Sequence, residues 1–266
     1  MFQCLIYVVI GSLLFAALST QAEEIDAGSG KRSYVENLSK LENYKPTKND
    51  FKIYFIGDSI TRHHCDKRTI EKLKWKYIAG MAASSEEKDY AHLLAAKIGE
   101  MLPNKKICLF FGKGGNPVKA LTGIAVARAY RPDLIIVQLG EHEKKVYLGK
   151  GGKKQVRDNY SKLLDELLKI ESRPLIICTG IWNISGKNNK YTWWTAGVDK
   201  IQREVCREKN IPFASVEKYG LNPACSGSGE HNGVRWHPND AGHASYAKEL
   251  FKLFKQNYIT DNPGSK

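Results

Sequence analysis

The sequence predicts an α/β fold in three layers (α/β/α), with helices on both faces of a five-stranded, mainly parallel sheet. Five short apolar runs recur along the chain, and a longer segment separates each run from the next. A strand covered on both faces is apolar along its whole length, whereas a half-exposed strand alternates. The 266 residues are 42% hydrophobic and 26% charged, which is typical of a globular protein and excludes a disordered or fibrous chain.

The first residues have the pattern of an export signal. Residues 4–18 carry no charge, small residues follow them, and Glu23 and Glu24 come next. An apolar run of about 15 residues is too short for a comfortable membrane span. We therefore expect a signal peptide at residues 1–22, a secreted or periplasmic protein, and no stable membrane insertion after cleavage. The segment before the run lacks Lys and Arg, which leaves an uncleaved anchor as the alternative.

A polar, Lys-rich lead-in is expected at residues 23–50, one domain at 51–258 and a tail at 259–266. The predicted strands are Lys52–Ile56, Lys106–Phe111, Leu134–Leu139, Leu175–Thr179 and Pro212–Val216. The predicted helices are Glu86–Met101, Val118–Tyr130, Lys154–Ile170, Ala196–Lys209 and about Asp240–Gln256. Ligands of an open parallel sheet bind beyond the carboxyl ends of its strands, so the residues that follow each run are the ones to inspect.

The net charge of +13 comes from 31 Lys and only 10 Arg, with no dense basic block. Arg is the residue that phosphate and base recognition prefers, so we expect no nucleic-acid partner. We interpret the charge as a solvated Lys-rich surface, with attraction to an acidic polysaccharide as the alternative.

The cysteines suggest a single disulfide and no metal site. After Cys4, five cysteines remain, and no Cys or His spacing is typical of a structural metal. Cys206 and Cys225 are the expected pair in an exported protein because both lie outside the apparent core strands. Cys108 and Cys178 lie within apolar runs and are expected to be buried.

A serine follows the first predicted strand, at a turn that begins with glycine. The segment Gly57-Asp58-Ser59 comes directly after the apolar residues 53–56. A Ser at this place presents its hydroxyl at the sheet edge beside turn N–H groups, as an acyl-transfer nucleophile requires. Asp and Ser are also ordinary turn and capping residues, so this segment alone decides nothing.

A histidine near the C-terminus makes the combination specific. Trp236-His237-Pro238 places a His directly before a Pro that fits the first turn of the last helix. Together with Gly57-Asp58-Ser59, this block resembles the SGNH (GDSL-type) hydrolase superfamily over about residues 51–256, and particularly its bacterial carbohydrate and sialate O-acetylesterase-like members. The resemblance implies an SGNH-hydrolase (flavodoxin-like) fold, with Ser59 as nucleophile and His237 as general base.

The resemblance also implies three donors to an oxyanion, the charged oxygen that forms when Ser59 attacks an ester. They are the N–H of Ser59, the N–H of Gly115 with Gly114 as the alternative, and the side chain of residue 142. Where the family has Asn, this chain has His142. A neutral imidazole has one N–H to donate, with a different reach from an amide.

A second departure concerns the residue that orients the catalytic histidine. The family usually has Asp three residues before the His, and Val234 stands there. Some sugar esterases of the superfamily use a Ser-His dyad oriented by a backbone carbonyl. We expect such a dyad here, with a carbonyl of residues 233–235 facing His237, and a carboxylate from Glu230 or Asp240 as the alternative.

Three residues at the carboxyl ends of strands are candidates for substrate binding: Arg62, Glu141 and Trp182. Indole rings stack well on sugar faces, although a Trp beside a cleft is just as often ordinary packing. We expect an exported serine esterase that hydrolyses an acyl ester, most simply an O-acetyl group on a carbohydrate, without a metal or organic cofactor. The alternatives are a catalytically weakened homologue that binds glycans and an O-acyltransferase on the same scaffold.

Overall fold

The structure is a computed structural model that describes residues 32–35, 44–67, 69–183, 193–227 and 231–261. Its strands are β1 (Arg32–Val35), β2 (Asp50–Ile56), β3 (Lys106–Phe111), β4 (Leu134–Val137), β5 (Leu175–Thr179) and β6 (Phe213–Ala214). All pair in parallel, in the order β1-β3-β2-β4-β5-β6. The chain leaves β2 toward β3 on one side and later returns to β4 on the other. The carboxyl end of β2 is therefore the switch point of the sheet, where ligands bind in such folds.

Helices cover both faces of this sheet. They are α1 (Tyr90–Met101), α2 (Pro117–Leu121), α3 (Ile124–Tyr130), α4 (Lys144–Tyr147), α5 (Gly152–Leu168), α6 (Trp193–Glu208), α7 (Glu217–Gly220), α8 (Asn232–Arg235) and α9 (Asp240–Asp261). A π-helical turn at Thr69–Leu73 and 3-10 turns at Glu86–Lys88 and Pro223–Cys225 lie in the connections. Asp89 caps α1 by accepting the N–H of His92 at 2.9 Å, which is why the helix begins later than its predicted start.

The two faces of the sheet form two separate apolar cores. On β2, the side chains of Tyr54 and Ile56 pack under α2, α3, α5 and α6, while Ile53 and Phe55 pack under α1 and α9. Adjacent side chains of a strand point to opposite faces, so a continuous apolar run supplies both cores at once. The predicted α/β/α fold is therefore confirmed, and the five predicted strands are all present. β1, a sixth strand, lies in the segment predicted as a polar lead-in.

The predicted disulfide is wrong for the state that the structure describes. Cys206 belongs to the core on one face of the sheet and Cys225 to the core on the other, and both are free thiols. The sheet lies between them, and a disulfide needs Cα atoms within about 7 Å of each other. Cys206 instead lies 3.8 Å from the Tyr160 hydroxyl.

The predicted signal peptide lies outside the described residues. Among the residues that the structure does describe, no helix combines the length and the apolar character that crossing a membrane requires.

Candidate active site

Ser59 lies in a tight turn directly after β2. The backbone carbonyl of Asp58 accepts the N–H groups of Thr61 and Arg62, both at 3.0 Å. The side-chain Oδ1 of Asp58 accepts the N–H of Ile60 at 2.9 Å. These bonds close the turn and leave the Ser59 hydroxyl partly exposed at the switch point. Among the described residues, the Ser59 N–H has no acceptor, so it remains available to a bound group.

The structure brings His237 to this serine across 178 residues of sequence. His237 Nε2 lies 2.7 Å from Ser59 Oγ, and the His237 side chain is buried. Burial disfavours the charged ring and lowers the pKa of His237 to about 3. At neutral pH the ring is therefore uncharged, which is the form that accepts a proton from a hydroxyl.

The neighbours of His237 are mostly backbone and aromatic groups. The ring lies against the indole of Trp236, with ring centroids 3.6 Å apart. The carbonyls of Val234 and Gly233 face the ring and favour its protonated form, although Nδ1 makes no hydrogen bond of good geometry with any described residue. Asp240 does not take part, since its carboxylate accepts the N–H and the hydroxyl of Ser84, each at 2.7 Å. The other carboxylate considered, Glu230, lies outside the described residues.

A buried glutamine, which the sequence pattern did not single out, holds the turn that contains Ser59. Gln138 Oε1 accepts the N–H of Asp58 at 3.2 Å and the hydroxyl of Thr61 at 2.9 Å. Gln138 is 1% exposed and follows β4 directly. The available signal was an amide residue inside an otherwise apolar run, because a buried polar side chain needs partners.

Two glycines let the loop after β3 approach this turn. A Cβ on Gly114 would lie 1.7 Å from the carbonyl oxygen of Gly57, so only glycine fits there. Gly115 has φ of +90° and donates its N–H to the same oxygen at 2.9 Å. This differs from the expectation that the Gly115 N–H is an open oxyanion donor, because in this structure the bond to Gly57 already uses it.

His142 lies beside the nucleophile turn but faces a carboxylate. Its Nε2 is 3.9 Å from Oδ2 of Asp58, and its side chain is half exposed. Oδ2 is buried and has no hydrogen-bond partner among the described residues. Burial raises the pKa of Asp58 to about 6, and the nearby His142 acts in the opposite direction. The imidazole thus lies near Asp58, the residue next to Ser59, and opposes the rise in the pKa of Asp58 that burial causes.

The three candidates for substrate binding are all engaged in contacts within the protein. Arg62 pairs with Glu86 at 2.8 Å and lies over the ring of Phe111. Glu141 Oε1 accepts the backbone N–H groups of Trp182 and Asn183, at 2.7 and 3.3 Å, and so ties the loop after β4 to the loop after β5. Trp182 is 1% exposed, and its indole N–H donates to the carbonyl of Trp236. A ring this deeply buried is core packing and has no face to offer a sugar.

The arrangement has the parts needed for acyl transfer. A partly exposed hydroxyl lies in contact with a neutral, buried imidazole, and an unused backbone N–H lies on the same residue as the hydroxyl. Within the described part of the chain, no group of three His, Cys, Asp or Glu side chains is placed to hold a metal ion.

Comparison with known proteins places this geometry in context. A family model described as the GDSL-like lipase/acylhydrolase family matches residues 55–245. A search of curated protein sequences finds no match.

Several solved structures share the fold. A putative GDSL-like lipase from Parabacteroides merdae aligns at 17% identity over 79% of this chain and 98% of its own, with a TM-score of 0.57. An acetyl xylan esterase, AlAXEase, aligns at 17% identity over 76% and 99%, with a TM-score of 0.55. A carbohydrate acetylesterase from Sinorhizobium meliloti, Est24, aligns at 13% identity over 78% and 99%, also with a TM-score of 0.55.

Proposed function

The chain belongs to the GDSL-like lipase/acylhydrolase family and is an esterase, and we propose that it removes O-acetyl groups from a carbohydrate through a Ser59-His237 dyad. Membership confirms the SGNH (GDSL-type) family that the two sequence blocks predicted. The observation that carries the proposed mechanism is the 2.7 Å contact between Ser59 Oγ and His237 Nε2.

In the proposed first half-reaction, Ser59 Oγ attacks the acetyl carbonyl carbon while its proton passes to His237 Nε2. The tetrahedral intermediate collapses when the bond to the sugar oxygen breaks, and His237 returns the proton to that oxygen. In the second half, water gives a proton to His237 and attacks the acetyl carbon. The bond from that carbon to Ser59 Oγ then breaks, and His237 returns the proton to Oγ, which releases acetic acid and restores Ser59 and the neutral imidazole. The neutral state of buried His237 supports its role as the base.

The orientation of the imidazole is the second part of the proposal. The carbonyls of Val234 and Gly233 face the ring, which supports a dyad in which backbone, and not a carboxylate, stabilises the protonated imidazole. Asp240 is held by Ser84, which supports the same conclusion. Exchanging Glu230 for Gln tests the remaining carboxylate: a dyad predicts that kcat stays within about threefold, whereas a triad predicts a loss of orders of magnitude.

The oxyanion site is proposed to consist of the Ser59 N–H, with Gly115 and His142 as further donors. Gly115 can contribute only if its N–H is shared with, or released from, the Gly57 carbonyl. His142 can contribute only if its half-exposed ring turns from Asp58 toward the serine. One donor is ready before substrate binds and two depend on rearrangement, so we expect slower turnover than a preformed three-donor site gives.

The substrate class rests on chemistry and on neighbours of the same fold. An acetyl group is small, which suits a serine whose surroundings are packed with buried side chains. Two structures with this fold have titles that name an acetyl xylan esterase and a carbohydrate acetylesterase. We extend that substrate class to this chain and propose, from residues 1–22, that the protein is exported to where polysaccharides occur.

A labelling experiment tests the proposed function. The wild type is incubated with p-nitrophenyl acetate, and separately with a serine-directed phosphonate followed by peptide mapping. We expect acetate release, a label on Ser59, and a loss of at least about 10³-fold in kcat for Ser59→Ala. A label on another serine, or unchanged turnover in Ser59→Ala, would contradict the assignment. Labelling of Ser59 without turnover of any acetyl ester would favour the weakened, glycan-binding homologue.

A further inference from the structure

We propose that a groove beside the dyad binds an acetylated polysaccharide that carries carboxylates. The groove has a volume of about 510 Å³, within the range of about 300–1,000 Å³ that is usual for ligand sites. Two stretches of the chain line it: residues between Leu73 and Ser84, which include Lys74, Trp75, Tyr77 and Ala82, and the residues Val234, Asn239, Asp240 and Ala241. The inference rests on the proposed function and adds that the substrate of that function is negatively charged.

The groove is built from the same two segments that hold the dyad. Met81 donates its N–H to the carbonyl of Ser59 at 2.8 Å, and Ala82 follows it into the groove wall. On the other side, His237 donates its N–H to the carbonyl of Val234 at 3.0 Å, and Val234 lines the groove. One backbone hydrogen bond therefore links each of these two segments to Ser59 or His237. We expect a polymer that binds in the groove to bring one of its substituents to Ser59.

The floor of the groove is apolar and aromatic. Trp75, Met81, Ala79 and Val234 form a small core of their own. The ring of Tyr77 meets Trp75 edge to face, with centroids 5.3 Å apart, and Tyr77 is 39% exposed. The indole N–H of Trp75 is buried and has no acceptor among the described residues. An exposed ring beside apolar floor suits the C–H face of a sugar, which stacks on aromatic side chains.

Positive charge borders this floor: Lys74 lines the groove, and Lys76 Nζ lies 5.6 Å from the centroid of the Tyr77 ring. Lys72, Lys74 and Lys76 alternate with Leu73, Trp75 and Tyr77 in the sequence, and all three lysines are exposed. No ion pair with a described residue neutralises any of them. The one acid in the groove, Asp240, is already paired with Lys88 at 3.1 Å. Charge complementarity therefore favours an anionic occupant.

A chain of uronic acid sugars satisfies both features. Its rings offer C–H faces to Tyr77, its carboxylates offer partners to the lysines, and its hydroxyls carry the acetyl esters that the proposed reaction removes. A neutral glycan leaves the three ammonium groups unused. Nucleic acid fits less well, since the border consists of lysine ammonium groups without the planar Arg fork that recognises phosphate.

Binding of unacetylated polygalacturonate to the wild type tests the groove without depending on catalysis. We expect affinity that falls as salt rises from 50 to 300 mM, and a loss of about fivefold or more in Lys74→Gln/Lys76→Gln. The matched control is Lys153→Gln/Lys200→Gln, which removes the same charge from exposed sites on helices α5 and α6. We expect the control to bind within about twofold of the wild type.

Three outcomes would overturn the proposal. Equal weakening in both double variants would mean that net charge alone attracts the polymer. Unchanged binding in Lys74→Gln/Lys76→Gln would place the polymer elsewhere, and tighter binding of a single-stranded oligonucleotide than of polygalacturonate would point to nucleic acid. Melting curves of both double variants, and of the single variant Lys76→Gln, are compared with that of the wild type. A lower Tm would show that a loss of binding comes from impaired folding and not from the groove.

Turnover separates the groove from the proposed function. On O-acetylated polygalacturonate, we expect Lys74→Gln/Lys76→Gln to raise KM by about the factor lost in binding, and to raise it several times less on a neutral acetylated glucomannan. Equal increases on both polymers would contradict an anionic substrate. If no acetate is released from any ester while polygalacturonate still binds through Lys74 and Lys76, the proposed deacetylation fails and the groove stands.

Discussion

At the scale of single residues, burial sets the chemistry of the site more than formal charge does. His237 contacts Ser59, Asp58 directly precedes Ser59 in the chain, and both side chains are buried. Burial disfavours the ionised form of each, which lowers the pKa of the imidazole to about 3 and raises that of the carboxyl to about 6. The proposed base, His237, is thus neutral over the whole physiological range, while Asp58 titrates close to neutrality.

The first prediction concerns the pH dependence of turnover. Because free His237 stays neutral well below its ordinary pKa of about 6.5, we expect kcat/KM for p-nitrophenyl acetate to persist below pH 5 while the protein is folded. We attribute any smaller change in kcat/KM near pH 6 to the titration of Asp58. Because nearby His142 lowers the pKa of Asp58, His142→Asn should shift the pH of that change. An acid limb at pH 6–7 that is identical in both proteins would show that the base is an ordinary, solvated histidine.

The same burial has a consequence for stability. The unfolded chain binds a proton at His237 near pH 6.5, whereas the folded chain does so only near pH 3. The stabilisation from a neutral His237 is therefore complete above pH 6.5 and is lost as the pH falls toward 3. Turnover at low pH must accordingly be measured alongside the folded fraction.

The second prediction separates two roles of His142. If its ring turns to the oxyanion during the reaction, His142→Ala costs about 10²- to 10³-fold in kcat, and His142→Asn preserves or raises activity. If it serves only to balance Asp58, both variants change the pH profile and leave the plateau value of kcat nearly the same. Stopped assays across pH 5–9 distinguish these results, and an unchanged rate and profile in His142→Ala would exclude both roles.

At the scale of elements, close backbone contact between two loops shapes the switch point. The loop after β3 lies against the turn after β2 because Gly114 leaves no side chain between them. The hydrogen bond from Gly115 to Gly57 then fastens the loop in place. Gln138 supports the same turn from β4, so the ends of three neighbouring strands position Ser59.

The third prediction tests this contact. Gly114→Ala places a Cβ 1.7 Å from the Gly57 oxygen, so the loops must separate, and we expect a loss of about 2 kcal/mol or more in stability together with lower kcat. Gly99→Ala, in the last turn of α1, is the control. Its Cβ meets nothing closer than 3.4 Å, so the helix should gain about 0.5–1 kcal/mol. Urea denaturation measures both, and a Gly114→Ala protein as stable as wild type would show that the loops are not in contact.

At the scale of the whole molecule, one edge of the sheet collects acids that folding keeps from water. Burial raises the pKa of Glu141 to about 8, that of Glu143 to about 7 and that of Asp58 to about 6. Each of these folded values lies above the unfolded value. Their contribution to stability is therefore present at low pH and is lost as the pH rises through the folded values. A protein with a net charge of +13 thus carries buried acids around its proposed nucleophile.

The fourth prediction follows from Glu141. Its protonated form and a Gln side chain both offer an oxygen to the N–H groups of Trp182 and Asn183, but only Glu ionises. We expect the wild-type Tm to fall between pH 6 and 9, and the Tm of Glu141→Gln to fall less over the same interval. Differential scanning calorimetry at constant ionic strength checks this. A steeper fall in Glu141→Gln would mean that the ionised carboxylate is stabilised in the folded protein.

The sequence by itself determined what depends on local order along the chain. Continuous apolar runs predicted the strands, helical spacing predicted the helices that cover them, and the blocks at Ser59 and His237 predicted the family. These features can be predicted from the sequence because the burial of a strand and the chemistry of a turn depend on residues that are neighbours in the chain.

Tertiary structure alone decided which polar groups are free. Trp182 and Arg62 have side chains suited to a ligand, yet one is enclosed in the core and the other is paired with Glu86. The Gly115 N–H meets a carbonyl 58 residues earlier in the chain, and the sheet separates Cys206 from Cys225. Whether a polar group is free to bind a ligand depends on which atoms the fold places within about 3 Å of it. The sequence shows which polar groups are present but not which atoms lie beside them.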